Sequence, residues 1–320
     1  MGSLHAGDRP EAGNALYLAR FIFANNPNGP IMQNRVLPWS LRASGFLMSK
    51  LGKPFPGLTA RIFLRFYSTP PKRKFKPAQL SVKESAVTGT VTYSQYPFDQ
   101  RLLTLTTYKW GNTGKKVLLM HGWGGSPVDF KYMIQALVES GYEVVAFDAP
   151  AHGFSAGKRT NIVQWMHMLQ QFMAQHGDFY AVVGHSLGGL SAALALVLKE
   201  VHIPKLVMIG SSVSAPGIFE DTFRQFNIHP AVMPVVQQLI ARNLQSDLQQ
   251  LDLFKHISRI KAKDILVVYD ENDALVKHQD ITAFVEQYHV AQSLKIRGEG
   301  HFKIIKDKLV ISRIVEFLHG

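Results

Sequence analysis

The order of hydrophobic and polar positions after residue 80 is that of strands alternating with helices. Short apolar stretches such as 116–122 and 264–270 have the length and the β-branched content of buried strands. Longer stretches between them, such as 162–175, repeat hydrophobic residues on one face at helical spacing. Strands that are apolar on both faces need helices on both sides, as in a parallel sheet built from βαβ units. The pattern therefore predicts an α/β fold, with a mostly parallel central sheet flanked by helices.

Individual elements follow from the same periodicity. The predicted strands are 87–93, 102–109, 116–122, 142–150, 179–185, 205–211, 264–270 and 293–297. The predicted helices are 129–140, 162–175, 187–199, 281–289 and 306–318. We expect the first two strands to pair with each other, because they lie close together in the sequence and are rich in threonine, valine and aromatic residues.

The first 80 residues follow a different pattern. Residues 58–67 carry an apolar arc with Arg61 and Arg65 on the opposite side, and 15–24 is apolar on nearly every side. The proline-rich, basic segment 69–77 then interrupts regular structure. We therefore divide the chain into a helical N-terminal extension, 1–80, and a main domain, 81–320.

The formal net charge of +12 belongs almost entirely to this extension. Residues 1–80 hold 12 lysines and arginines against Asp8 and Glu11, whereas 81–320 hold 23 basic and 21 acidic residues. We expect the helices of the extension to pack on the main domain, with their basic side chains in solvent. Peripheral contact with an anionic membrane is the alternative. Nucleic acid is disfavoured, since no zinc pattern, RNP motif or helix-turn-helix signature accompanies the charge.

Composition narrows the class of protein further. With 46% hydrophobic and 18% charged residues, the chain has enough apolar surface to bury a large core. The absence of cysteine excludes disulfides and thiolate sites. No apolar run approaches about 18 residues, and charged residues stand where an export signal would begin. We expect a cytoplasmic protein, with no metal ion and no cofactor, because no histidine pair has metal-ligand spacing.

A candidate nucleophile lies at the junction of a predicted strand and a predicted helix. The segment Gly184-His185-Ser186-Leu187-Gly188 is a G-x-S-x-G motif in the context that this motif requires. A serine at such a sharp turn projects its hydroxyl over the carboxyl edge of the sheet, beside a helix N-terminus that favours negative charge. Ser186 is therefore the predicted nucleophile.

The sequence HGWGG at 121–125 directly follows another predicted strand. Acyl transfer creates an oxyanion that preorganised N–H groups stabilise, and a glycine-rich turn aims such groups at a site. The candidate donors are the backbone N–H groups of Trp123 and Leu187. A phosphate-binding P-loop is rejected, because no G-K-[ST] follows.

A serine nucleophile needs a histidine base, and the histidine needs a carboxylate that holds its tautomer. His301 lies in a glycine-bracketed loop before the last predicted helix, which makes it the candidate base. Asp270 and Asp273 follow a late strand, and both are candidate acids.

With its serine, acid and histidine in this order, the chain from 81 to 320 resembles the α/β-hydrolase fold superfamily. The resemblance rests on five segments in the expected order: HGWGG, DAPAHGFS, GHSLGG, DENDALV and GEGHF. It implies Asp273 as the triad acid and gives His152 a role in shaping a loop. It also implies that Trp123 and Leu187 are the oxyanion donors. Segment 212–262 is an insert with enough large apolar residues for a small helical cap.

The expected activity is that of a serine hydrolase, a carboxylesterase that cleaves esters of small to medium acyl groups through an acyl-enzyme. Three alternatives use the same residues: a thioesterase, a lipase and a carbon–carbon bond hydrolase. A non-catalytic, hydrolase-like binding protein is the alternative from another class. The intact set of serine, acid and histidine argues against it.

Overall fold

The structure is a computed structural model, and it describes residues 39–95, 101–260, 264–288 and 291–320. The helix predicted at 15–24 lies outside the described residues. So does most of the extension that precedes residue 39.

Within the described residues, eight strands form one sheet in the order β1-β2-β4-β3-β5-β6-β7-β8. Strand β2 pairs antiparallel with β1 and with β4, and all the other neighbouring strands are parallel. The predicted mostly parallel sheet, with its first two strands paired, is confirmed. The strands are β1 Val87–Ser94, β2 Leu102–Trp110, β3 Lys116–Met120, β4 Glu143–Phe147, β5 Ala181–His185, β6 Lys205–Ile209, β7 Asp264–Asp270 and β8 Ala291–Ile296.

Helices occupy the connections between the strands and the described part of the N-terminal region. Among all the described residues, no helix is long and apolar enough to cross a membrane. The helices are α1 Trp39–Leu51, α2 Pro56–Ser68, α3 Pro77–Glu84, α4 Lys131–Glu139, α5 Ile162–His176, α6 Leu187–Leu198, α7 Ala215–Gln225, α8 Val232–Leu244, α9 His278–Gln287, α10 Gly300–Lys303 and α11 Lys308–His319. Short 3₁₀ turns lie at Pro127–Phe130, Leu248–Gln250, Leu253–Arg259 and Ile304–Lys306.

The central strands β3 to β7 are largely apolar because there is a hydrophobic core on each face of the sheet there. Successive residues of β3 show this, since Leu118 belongs to the core under α5 and α6, and Leu119 to the core under α4 and α11. Both side chains are completely buried. This two-sided burial explains why the strands read as continuous apolar runs rather than as alternating ones.

Helix α2 packs on the insert rather than on the sheet. Phe63, which is completely buried, places its ring 5.2 Å from that of Phe219 and 4.9 Å from that of Phe223, both on α7. The hydroxyl of Tyr67 is hydrogen-bonded to Thr222. The apolar arc predicted on this segment therefore faces the cap helices. Whether 1–80 and 81–320 are separate domains stays a prediction.

Arg73 ties the basic segment 69–77 to the main domain. Arg73 donates two hydrogen bonds to the carboxylate of Asp129, at 2.7 and 2.8 Å. It donates a third, longer one of 3.3 Å to the carbonyl of Gly124. Two nearby prolines remove backbone donors, so side chains rather than regular structure fix this segment.

Candidate active site

Ser186 occupies a strained turn between β5 and α6. Its backbone has φ 54° and ψ −121°, a combination that L-residues rarely adopt and that is found at functional sites. The flanking glycines are needed because the chain passes close by on both sides. A Cβ on Gly184 would lie 2.5 Å from the backbone of Gly189, and one on Gly188 would lie 2.5 Å from the carbonyl oxygen of Met120. The turn therefore tolerates no larger residue at either position.

The structure brings the three residues predicted for catalysis into one chain of hydrogen bonds. His301 Nε2 lies 3.0 Å from Ser186 Oγ, and His301 Nδ1 lies 2.8 Å from Asp273 Oδ2. A carboxylate accepts only, so the proton of the imidazole lies on Nδ1 and Nε2 is left to accept from the serine hydroxyl. The serine comes from the end of β5, the aspartate from the loop after β7 and the histidine from α10.

Asp273 is held as a carboxylate in a buried position. Burial raises the pKa of its carboxyl group, but His301 lowers it more, together with N–H donation from Leu275 and Val276. These N–H groups lie 2.7 and 3.1 Å from Oδ1, the oxygen that does not contact the histidine. The net pKa lies below the ordinary value, so the group is charged at neutral pH.

Asp270, the other candidate acid, binds backbone N–H groups rather than the imidazole of His301. One carboxylate oxygen accepts from the N–H groups of Asn272 and Gly298, at 2.7 and 3.1 Å, and the other accepts from Gly300 at 2.6 Å. These bonds connect the end of β7 to the loop that carries His301. Asp270 thus shapes the loop, whereas Asp273 contacts the imidazole.

Both residues predicted as oxyanion donors border the same cavity as Ser186. Leu187 is the first residue of α6, so its N–H has no acceptor within the helix. Trp123 lies in the turn that follows β3. Its indole Nε1 is buried, with no hydrogen-bond partner among the described residues.

Two buried histidines hold the turn that carries Trp123. His152 Nε2 accepts from the N–H of Gly124 at 2.9 Å, and His121 Nε2 accepts from the N–H of Ala149 at 3.0 Å. Burial lowers the pKa of both imidazoles, which keeps them neutral and able to accept. The role of His121 in holding this turn was not predicted from the sequence, although His121 is the first residue of the motif HGWGG.

A third buried histidine supports the candidate base from behind. His185 Nε2 donates to the backbone carbonyl of His301 at 2.8 Å. Burial, with a contribution from His301, lowers the pKa of His185 to about 3. His185 is therefore uncharged at neutral pH and acts here through the backbone of its neighbour.

The cavity above Ser186 has a volume of about 860 Å³. Its apolar wall comes from the insert, from α2 and from α6, and includes Leu64, Leu190, Ile218, Phe219, Leu239, Ile240 and Leu251. Four arginines border it as well: Arg61, Arg65, Arg159 and Arg242. The sequence placed Arg61 and Arg65 on a solvated face, and nothing in their spacing indicated that this face borders the candidate site.

Within the described ranges, no group of three histidine or acidic side chains is arranged to hold a metal ion.

Comparisons with known proteins agree with the fold. The model of the alpha/beta hydrolase fold family matches residues 115–248. Among solved structures, the Pyrococcus furiosus esterase Pf2001 is similar over 78% of this chain and 96% of its own, with a TM-score of 0.58 and 20% identity. That degree of likeness establishes the fold.

Two curated relatives are similar over shorter stretches. A pimeloyl-[acyl-carrier protein] methyl ester esterase of Legionella pneumophila (strain Corby) is 26% identical over 139 residues, which are 41% of this chain and 56% of that protein. Esterase YjfP of Escherichia coli (strain K12) is 23% identical over 173 residues, 50% of this chain and 69% of that protein. The chain thus spans little more than half the length of the first of these relatives.

Proposed function

Because this chain has the α/β-hydrolase fold and belongs to the superfamily of that name, we propose that it is a serine hydrolase acting on carboxylic esters. The single observation that carries the proposal is the hydrogen-bonded series Ser186–His301–Asp273, with distances of 3.0 and 2.8 Å. The names of the similar esterases support the same class of reaction.

In the first half of the reaction, Ser186 Oγ attacks the acyl carbon and gives its proton to His301 Nε2. Asp273, charged and buried, stabilises the imidazolium that forms. The tetrahedral intermediate collapses, the bond between the acyl carbon and the alcohol oxygen breaks, and His301 returns the proton to the leaving alcohol. An acyl group esterified to Ser186 remains.

Water completes the cycle by the same route. His301 takes a proton from the water as its oxygen attacks the acyl carbon, and Ser186 leaves with that proton. In both halves the N–H groups of Trp123 and Leu187 receive the oxyanion. Removing one donor of this kind costs about 3–4 kcal/mol of transition-state stabilisation in enzymes that use it.

The cavity supports small to medium acyl groups as substrates. Its 860 Å³ lie within the range of sites that enclose a small organic molecule, of about 300–1,000 Å³. The wall above the serine is mainly aliphatic and aromatic, which favours an acyl chain over a sugar or a peptide.

The test is hydrolysis of p-nitrophenyl esters from acetate to dodecanoate, with the Ser186→Ala protein as the matched control. We expect turnover by the wild-type protein that peaks at short to medium chains and is abolished in the variant. A fluorophosphonate probe should label the wild-type protein only. If the folded wild-type protein neither labels nor exceeds the variant on any ester, the hydrolase proposal is wrong.

A further inference from the structure

Four arginines from three separate parts of the chain meet at the cavity that contains Ser186. Arg61 and Arg65 lie one turn apart on α2, Arg159 precedes α5, and Arg242 lies in the last turn of α8. All four are exposed, whereas Ser186 is partly buried, so the guanidinium groups belong to the outer part of the cavity. The residues that border it include no aspartate or glutamate.

These arginines differ from three other arginines whose side chains reach solvent but are paired with carboxylates. Arg224 pairs with Asp221, Arg297 with Glu271 and Arg313 with Glu316. Among the described residues, no ion pair is formed by any of the four arginines at the cavity. Positive charges that border one cavity without a carboxylate make its potential positive, which favours the binding of an anion there.

We propose that this cavity has an anion subsite at its mouth, and that the preferred substrate is an ester bearing a negatively charged group. The inference rests on the proposed hydrolase function and names its substrate class. The ester lies at Ser186, an apolar chain lies along the aliphatic wall, and the charged group binds the arginines. A guanidinium offers a planar fork of N–H donors that matches a carboxylate or a phosphate.

We assign the binding partner as a small molecule rather than an acidic protein surface, because the arginines border the same cavity as the nucleophile. Other polar groups on this border are also donors to an anion, namely the side-chain amides of Asn161 and Asn243. Helix α2 is thus a specificity-determining element, since Arg61 and Arg65 both lie on it.

The kinetic test compares two esters of equal length, p-nitrophenyl octanoate and the mono-p-nitrophenyl ester of octanedioic acid. We expect kcat/KM to favour the carboxylate-bearing ester on the order of ten-fold at low salt, mainly through KM, and the preference to shrink in 0.5 M NaCl. In the Arg61→Gln/Arg65→Gln protein the ratio should fall toward one. The Arg313→Gln protein, which loses a charge far from the cavity, should keep the wild-type ratio. An ω-phosphorylated ester of the same length distinguishes carboxylate from phosphate as the preferred anion.

A binding measurement separates this inference from the proposed reaction. Calorimetry on the Ser186→Ala protein should show that octanedioate binds more tightly than octanoate. This difference should be lost when Arg61→Gln and Arg65→Gln are combined with Ser186→Ala. If esters are hydrolysed but neither assay detects a preference for the charged chain, the subsite is refuted and the hydrolase function stands. If no ester is hydrolysed but octanedioate binds through the arginines, the reaction is refuted and the subsite stands. If an acidic protein competes while octanedioate does not bind, the small-molecule assignment is wrong.

Discussion

The floor and the roof of the cavity are built in opposite ways. The floor consists of the loops at the carboxyl ends of the strands, namely 121–125, 184–189, 270–276 and 298–301. The roof consists of α2, α7 and α8. In the floor, buried polar side chains hold backbone N–H groups at fixed distances, as the carboxylate of Asp270 holds the N–H of Gly300. In the roof, Phe63, Tyr67 and Phe219 meet ring against ring.

The difference shows how one fold supports many substrates. Acyl transfer needs groups held to within a fraction of an ångström, and the floor supplies them through directional hydrogen bonds. Substrate choice needs only a matching shape and charge, and the packed side chains of the roof provide both. These side chains can be substituted without disturbing the floor. Each prediction below perturbs one of the two regions and measures whether the other responds.

The largest expected effect is on the rate, from the acid in the floor. Asp273→Asn should lower kcat for p-nitrophenyl butyrate by about 10⁴-fold, because an amide does not hold the imidazole tautomer that Ser186 needs. The melting temperature should change little. Asp270→Asn is the matched control: it keeps one acceptor oxygen for the loop and should lower kcat far less. Equal losses in the two variants would refute the different parts assigned to the two acids.

The next effect concerns the stability of the roof. Phe63→Ala should lower the free energy of unfolding by about 3–5 kcal/mol, because it leaves a cavity where a completely buried ring contacted α7. Urea denaturation measures this. Phe46→Ala, at a ring that is 66% exposed, is the control and should be close to neutral. An unchanged Phe63→Ala protein would mean that α2 is not a packed part of the molecule.

A smaller effect is expected from the support of the turn that carries Trp123. His152→Ala leaves the N–H of Gly124 without its acceptor, at a cost of about 1–3 kcal/mol. We expect kcat to fall by roughly 10- to 100-fold while KM stays the same, since the turn is proposed to act on the oxyanion. His152→Gln supplies an acceptor oxygen and should restore part of the rate. If KM rises instead and glutamine restores nothing, His152 acts on binding or folding rather than on the turn.

The smallest effect per residue is a dependence of stability on pH. His121, His152 and His185 have lowered pKa values in the folded protein, so below about pH 6.5 the unfolded chain takes up protons that the folded one does not. The contribution of these neutral histidines to the free energy of unfolding is fully present above pH 6.5. It falls as the pH is lowered, by up to about 1.4 kcal/mol per pH unit for each histidine. Urea denaturation at pH 7, 6 and 5 measures the slope. His185→Gln should flatten it, and a slope of zero in the wild-type protein would contradict the burial of neutral imidazoles.

The two regions also differ in how far the sequence foretold them. Ser186, Asp273 and His301 were predicted from short local motifs in the floor, each with its glycines and each at the end of a strand. Such motifs are local because a tight turn fixes the chain within a few residues. The choice between Asp270 and Asp273 came from the family resemblance, since both residues follow the same strand.

The roof left no comparable signal in the sequence. Periodicity identified α2 and its apolar arc, and we expected that arc to pack on the main domain. It gave no indication that the arc meets α7, or that Arg61 and Arg65 border the cavity. Helix packing between distant segments depends on complementary shapes, which one sequence does not reveal. For the same reason, the bond between Arg73 and Asp129 was not foreseen.

The contact between Tyr67 and Thr222 joins positions 155 residues apart in the chain, which has a consequence for synthesis and folding. Contacts between such distant positions form slowly, and a chain emerges from the ribosome with its N-terminal part first. Helix α2 is therefore synthesised long before α7, and the face of Phe63 has no cover from α7 until residues beyond 220 have followed. A nascent chain shorter than this exposes an aromatic surface next to a strongly basic segment, and exposed apolar surface of this kind is prone to aggregation.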